Sequence, residues 1–367
     1  MKAIKKLTLF DKIVLWINYG LVVALLISYI APVTDPRKFW IVAFFGLAYP
    51  LLLLFNCLII MYWALRESWY FLLSFVTIVV GYHILFNNIG FHMGSDSLPP
   101  TSNIRLMSYN VHNFKRFGAN KDIPTKHEIL TLIAQNHPDI IGFQEFYTRK
   151  KGQYDMADSI RQIMHTDSYY IESFQANKDE CIGMAIFSKY PIVNKGLIHL
   201  TTDPGDGTQC LFADLKKGDK IFRVYSAHLQ SVQFNNVDYR SLDTVKTGHT
   251  SWRSVTRVGG KLKRAFIKRA DQVMKIKAHA AQCPYPYIIS GDFNDTPASY
   301  AVNQMAAGLK NAFTEKGFGL GRTYNGSFPN YQIDYIMAGQ QFDIINYMVI
   351  RKKLSDHYPV IGDMVLR

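Results

Sequence analysis

Three stretches near the start of the chain carry no charged residue: 13–34, 39–65 and 68–86. Each approaches or exceeds the roughly 20 apolar residues that cross a bilayer core of about 30 Å. A helix buried in a soluble bundle would show a polar stripe at helical spacing, whereas these runs are apolar on every side. The pattern predicts three transmembrane helices, over about 13–33, 39–65 and 68–86. Lys2, Lys5 and Lys6 precede the first. That run is long, lacks a small-residue cleavage pattern and is followed by two more, so it reads as an anchor and not as a signal peptide.

The pattern changes near residue 95. The stretch 87–103, "NNIGFHMGSDSLPPTSN", is rich in Gly, Ser, Pro and Asn and reads as a connection. The expected organisation is a membrane anchor over 1–95, a linker over 96–103 and one large domain over 104–367. Within that domain short apolar runs alternate with helical ones. "IRLMSYNV", "DIIGFQ", "YYIESF", "GMAIFS", "QCLFADLK", "KIFRVYSAH", "YIISGDF", "QIDYIMA" and "PVIGDMVL" read as strands. "KKGDK" joins two of them as a hairpin turn. "KHEILTLIAQ" is helical, with Ile129, Leu132 and Ile133 on one face, and a longer helix is expected from about Gly260 to Gln282. Leu262, Phe266, Val273, Ile276 and Ala280 form its predicted buried stripe. Such alternation predicts an α/β (α+β) domain built on mixed sheets.

Charge refines this picture. The formal net charge is +13, and the first hundred residues hold only seven of the 41 Lys/Arg and four of the 28 Asp/Glu. The excess therefore lies mainly in the large domain, which suits an anionic partner. Lys2, Lys5, Lys6, Lys12 and Arg66 flank one side of the predicted spans, and Arg37 and Lys38 the other. By the positive-inside rule the large domain lies outside the cytoplasm, as part of a multi-pass protein of the cell membrane. Cys57, Cys181, Cys210 and Cys283 form no C-x-x-C pair and indicate no zinc site.

Candidate chemistry lies where the strands stop. "IRLMSYN" ends on Asn110, "DIIGFQE" on Glu145, "IFRVYSAH" on His228 and "YIISGDFN" on Asp292 and Asn294; Asp334 sits in "QIDYIMA", and Asp356 and His357 directly precede the last strand. A turn would account for any one of these. The repetition points to a site, because the ends of neighbouring strands share one rim of a sheet. Carboxylates with a carboxamide oxygen are hard ligands suited to Mg²⁺ or Mn²⁺. Histidines beside such a cation supply the positive charge that a phosphoryl transition state demands. No G-x-S-x-G elbow is present, so a covalent serine route has no support.

The ordered set "SYNVHNF", "PDIIGFQE", "SAHL", "GDFND", "IDYI" and "SDHYPV" resembles the endonuclease/exonuclease/phosphatase superfamily, the deoxyribonuclease-I-like fold. The resemblance runs from about Arg105 to Val365. It implies a four-layer sandwich with two packed mixed sheets flanked by helices, and hydrolysis of a phosphoester by in-line attack of water. It also implies roles. Glu145, Asn110 and Asp356 would hold the metal, and Asp292 would activate water with Asn294 positioning it. His357, braced by Asp334, and His228 would contact the phosphate. Asp295 reads as a helix cap, "GFGLGR" (317–322) as a loop, and His112 is assigned no role.

Substrate choice stays open at this point. The long polar connection after His228 and the helix that follows hold eleven Lys/Arg and two acids between Arg240 and Lys277. They form a basic stretch in which Tyr239 and Trp252 could stack on bases or enter an interface. Nucleic acid and a phospholipid or sphingolipid head group both fit, and no protein partner is indicated. The rival expectation is a catalytically idle module that holds an anionic partner.

Overall fold

The computed structural model describes residues 7–92, 103–115, 123–202, 207–235, 237–238, 252–326 and 330–367. The expected linker lies almost wholly outside the described residues, as does Tyr239.

Two six-stranded sheets form the large domain. The first runs, edge to edge, Phe342–Val349, Val360–Leu366, Ile104–Asn110, Ile140–Arg149, Glu180–Ser188, Tyr169–Ala176. The second runs Lys310–Asn311, Asp334–Ala338, Tyr287–Asp292, Lys220–His228, Gln209–Lys217, Ile192–His199. Neighbours are antiparallel except for one parallel pair at the heart of each sheet: Ile104–Asn110 with Ile140–Arg149, and Lys220–His228 with Tyr287–Asp292. Parallel neighbours end at the same rim, and this brings together residues expected at the site.

Period-two alternation builds the layers. Ile104, Leu106 and Ile140 face Leu211, Phe222, Val224, Ile288 and Ile336 across the gap between the sheets. The intervening residues point outwards. Met107, Ile141 and Phe143 pack under the helices Ile123–Asn136 and Met156–Met164. Tyr225, Ile289 and Met337 pack under Trp252–Ala281 and Tyr300–Ala306. Helices therefore cover both outer faces, giving four layers. Ile129, Leu132 and Ile133 are all buried, and each contributes about 1.5–3 kcal/mol relative to exposure. All five stripe residues of the long helix are buried too, but it starts at Trp252, eight residues before the position expected.

Towards the rim the inner face changes from apolar to small and polar. Ser108, Gln144, Ser226 and Ser290 are fully buried there, and Gln144 Nε2 donates to Ser226 Oγ at 3.0 Å. This layer separates the hydrophobic core from the charged ends of the same strands. Gly291 has φ +142°, and a Cβ there would stand 1.9 Å from the Ala227 carbonyl oxygen. Only glycine lets the strand reach Asp292 at this spacing.

At the N-terminus, Leu9–Ile30 (α1) and Pro36–Leu65 (α2) are long and apolar enough to cross a membrane. Their 22 and 30 residues correspond to about 33 and 45 Å. Asp11 closes one end of the pair, bonded to Arg66 at 2.7 Å and to Tyr62 at 2.6 Å. The third expected span is a bent pair of helices, the form of a broken span or a re-entrant loop. Instead of one helix over 68–86 the chain forms Phe71–Val80 and Tyr82–Asn88, bent by 72° at Gly81, against which the Tyr29 ring packs. The first piece has ten residues, too few alone for a bilayer core. Its continuation, Gly90–Phe91, pairs antiparallel with Phe318–Gly319, inside the stretch read as a loop.

Candidate active site

His228, Asp292 and Asp334 stand side by side on three adjacent strands of the second sheet, in the register His228↔Asp292↔Asp334. Asn110 and Glu145 come from the first sheet. Asp356 and His357 arrive on the loop that precedes Val360–Leu366. The eight residues expected at the site all lie at this one rim, and six of them line a cleft of about 220 Å³.

Local backbone accounts for the aim of several side chains. Glu145 falls at a β-bulge between Phe143 and Phe146 and has φ +50°. The extra residue turns its carboxylate inwards, away from the regular pleat. Asn294 has φ +53°, and His112, Asn113 and Phe114 are consecutive left-handed residues at +43°, +56° and +58°. Left-handed non-glycine backbone costs on the order of 1–3 kcal/mol per residue and gathers where geometry is imposed for function.

Asp292 is the centre of the polar network. Its Oδ1 accepts from the Asn294 amide at 2.8 Å, and its Oδ2 from Asn294 Nδ2 at 3.2 Å and Asn110 Nδ2 at 3.1 Å. His228 Nε2 and His357 Nε2 stand 3.7 and 3.6 Å from the same oxygen. Burial pushes the Asp292 carboxyl up to about 6, against the pull of both imidazoles. His357 is fixed by Asp334, whose oxygens lie 3.0 and 3.2 Å from Nδ1. Burial disfavours a charge on His357, but Asp334 and Asp292 outweigh it and hold the imidazole well above its ordinary value. His228 donates from Nδ1 to the Gly207 carbonyl at 3.0 Å, leaving Nε2 towards the cleft.

Glu145 is 29% exposed and Asp356 15%, whereas Asp292 and Asp334 are each 1% exposed. Burial alone would raise Glu145, yet His112, His228 and His357 together bring it down to about 2. His112, given no role by the sequence, stands between the two open carboxylates. Its Nδ1 lies 3.4 Å from Glu145 Oε2 and 3.6 Å from Asp356 Oδ1. Two further residues escaped the sequence reading. Ser355 Oγ donates to the Asn110 carbonyl at 2.8 Å and accepts from the His357 amide at 3.2 Å. Thr323 Oγ1 accepts from the amides of Ile333 and Asp334. Ser355 lies inside "SDHYPV" and its hydroxyl was a visible signal; nothing local marks Thr323.

Asp295 is not a helix cap. Ser299 caps Tyr300–Ala306, while Asp295 is buried against Arg269 Nη1 at 3.1 Å. Asp292, Asp334 and His357 form the one compact group of metal-type ligands among the described residues, all within 4.8 Å. His357 Nδ1 is already engaged by Asp334, however, and an imidazole held in its charged form has no lone pair to offer. The open carboxylates of Glu145 and Asp356, with the Asn110 amide 3.4 Å from Glu145 Oε1, are the better cation-binding oxygens.

Fold and rim together are those of a phosphoesterase. The family model described as Endonuclease/Exonuclease/phosphatase family matches residues 107–357, and the chain belongs to that family. A second model, described as a domain of unknown function, matches 11–88. Among solved structures, an endonuclease/exonuclease/phosphatase from Beutenbergia cavernae superposes with a TM-score of 0.52 at 17% identity, over 72% of each chain. A family protein from Bacteroides thetaiotaomicron gives 0.51 at 18%, over 74% of this chain and all of the other. The human Nocturnin catalytic domain with bound sulfate gives 0.50 at 15%, over 74% and 97%. At these identities the likeness is one of fold. No curated protein matches.

Proposed function

We propose that this protein is a membrane-anchored, divalent-cation-dependent phosphodiesterase that hydrolyses its substrate by in-line attack of water. The anchor is 1–95 and the catalytic domain 104–367, held outside the cytoplasm as the basic flanks indicate. The observation that carries the reading is Asp292: a buried carboxylate bracketed by two imidazoles and two carboxamides at the rim of a phosphoesterase fold.

In this reading Asp292 Oδ2 takes the proton from the attacking water, within hydrogen-bond reach of Asn294 and Asn110, which fix its orientation. Asn294 is itself tied by Nδ2 to the Leu229 carbonyl at 3.0 Å, so the water would meet a rigid amide. His357 donates from Nε2 to a phosphoryl oxygen, its ring held by Asp334. His228 Nε2, facing the cleft from the other side, contacts the phosphate and protonates the leaving oxygen. Glu145 and Asp356 would hold the cation, and hard oxygen donors of this kind suit Mg²⁺ or Mn²⁺. Asn110, expected beside them as a ligand, turns its Nδ2 to Glu145 and Asp292 and its Oδ1 to the His112 amide, so it orients the carboxylates. When bound, such a cation neutralises charge that develops on the phosphoryl oxygens.

The test is hydrolysis of bis(p-nitrophenyl) phosphate by the full chain in detergent micelles, with Mg²⁺ or with chelator. Hydrolysis that chelator removes and Mg²⁺ restores is expected. Asp292→Ala should reduce the rate about 10²–10⁴-fold with little change in thermal unfolding. An Asp292→Ala protein as active as the parent sinks the mechanism.

A further inference from the structure

One side of the catalytic cleft belongs to the anchor. The cleft lined by Glu145, Asp292 and His357 is also lined by Leu47 from α2 and by Leu262 and Phe266 from the long helix. α2 is docked there along three turns. Arg37 Nη1 meets Asp271 Oδ1 at 2.9 Å, Lys263 Nζ sits 4.5 Å from the centre of the Trp40 ring, and Phe44 meets Phe266 edge to face at 5.3 Å. Leu25 and Tyr49 then pack on Ala298, in the loop that follows Asp292.

The face of α2 that reaches the cleft does not stop at Leu47. Leu51, Leu54 and Leu58 follow it at helical spacing and are 51%, 52% and 48% exposed. From Leu47 to Leu58 this stripe runs about 17 Å, close to one leaflet of a hydrocarbon core about 30 Å thick. An apolar track thus leads from the membrane-crossing part of α2 into the cleft that Glu145, His228, Asp292 and His357 line. The long helix beside it carries nine Lys/Arg and one acid over 252–281, a charge pattern suited to an anionic membrane surface.

We infer that the substrate is a membrane phospholipid that enters sideways from the bilayer. Its acyl chain lies on the Leu47–Leu51–Leu54–Leu58 face, and its phosphodiester lies between Asp292 and Glu145. This rests on the phosphodiesterase reading above and narrows its substrate. Nucleic acid is the competing substrate, since Tyr324 and Tyr331 also line the cleft and rings of this kind can stack on bases; the exposed apolar stripe of α2 favours the lipid.

The experiment uses the full chain in nanodiscs of anionic phospholipid and compares two substrates with the same head group: the diacyl phospholipid and its deacylated glycerophosphodiester. kcat/KM for the lipid should exceed that for the deacylated analogue by about tenfold or more. Leu47→Gln should bring the two to within about threefold. A second measurement needs no variant: a phospholipid with a diazirine on its acyl chain should label the Phe44–Leu58 segment of the unsubstituted protein. Equal turnover of both analogues, faster turnover of DNA or RNA, or labelling that avoids this segment overturns the lipid assignment and leaves the phosphodiesterase reading standing. Absence of Asp292-dependent hydrolysis of every phosphodiester overturns both.

Discussion

At the scale of single residues, the side chains gathered at the rim have their own orientation held by a second group. Asp334 is the clearest case. Its carboxylate lies 3.0 Å from His357 Nδ1, while its own backbone amide is fixed by Thr323. Asp334→Asn keeps the shape but removes the negative charge that holds the imidazolium and orients its ring. We expect kcat to fall about 10²–10⁴-fold with KM changed far less, since the phosphate would still find Nε2 nearby. Steady-state kinetics of the purified variant decide this. A loss confined to KM would make Asp334 a binding group and not the brace of His357. Most such residues were legible in the sequence, because a carboxylate or imidazole at the end of an apolar run is costly unless it has work to do. His112 was not legible. Its place between Glu145 and Asp356 results from three successive left-handed residues and from a bulge on another strand, neither of which has a local sequence signature.

At the scale of elements, the long helix Trp252–Ala281 ties the outer layer to the loops that follow His228 and Asp292. Arg269 is buried in it, donating from Nε to the Gln230 carbonyl at 2.7 Å and pairing with the buried Asp295. Removing one partner leaves a desolvated charge, so Arg269→Met should destabilise the domain by about 3–5 kcal/mol. The paired change Arg269→Met with Asp295→Leu should recover most of that loss. Chemical unfolding of the three proteins tests the claim, and a double variant no better than the single one would place the cost in packing. At its far end the helix sets His279 on Phe212, ring centroids 4.8 Å apart, with Tyr225 Oη 3.0 Å from Nδ1. Burial lowers the His279 pKa, with Arg223 adding to the effect. The unfolded chain therefore binds this proton more readily than the folded one. The His279 contribution is complete above the ordinary imidazole range and declines as pH falls through it. Thermal midpoints measured from neutral to mildly acid pH should fall less steeply for His279→Gln than for the parent. The helix itself was visible from its apolar stripe. The buried Arg269–Asp295 pair was not, because an aspartate just before a helix reads equally well as a cap.

At the scale of the whole molecule, the apolar N-terminal helices and the two-sheet domain share a surface that hydropathy alone does not disclose. An apolar run long enough to cross a membrane reads the same whether one of its faces meets lipid or protein. Packing, and not charge, should hold this surface. The Arg37–Asp271 pair is partly exposed, with side chains 35% and 53% accessible, and pairs of that kind contribute about 0–1 kcal/mol. Gly46 is different. A Cβ there would stand 2.8 Å from the Ala298 carbonyl oxygen and 2.7 Å from the Ala31 Cβ, so any larger side chain must push α2 away from the loop that follows Asp292 and carries Asn294. Gly46→Leu should therefore lower both the thermal midpoint and turnover, although it adds an apolar group to an apolar helix. Arg37→Ala should leave both nearly unchanged. The two variants, assayed side by side in the same detergent, separate the causes. A larger loss from Arg37→Ala would mean that surface charge positions the domain and that Leu47 reaches the cleft only as a consequence. A larger loss from Gly46→Leu would make the close approach of α2 part of the architecture of the active site.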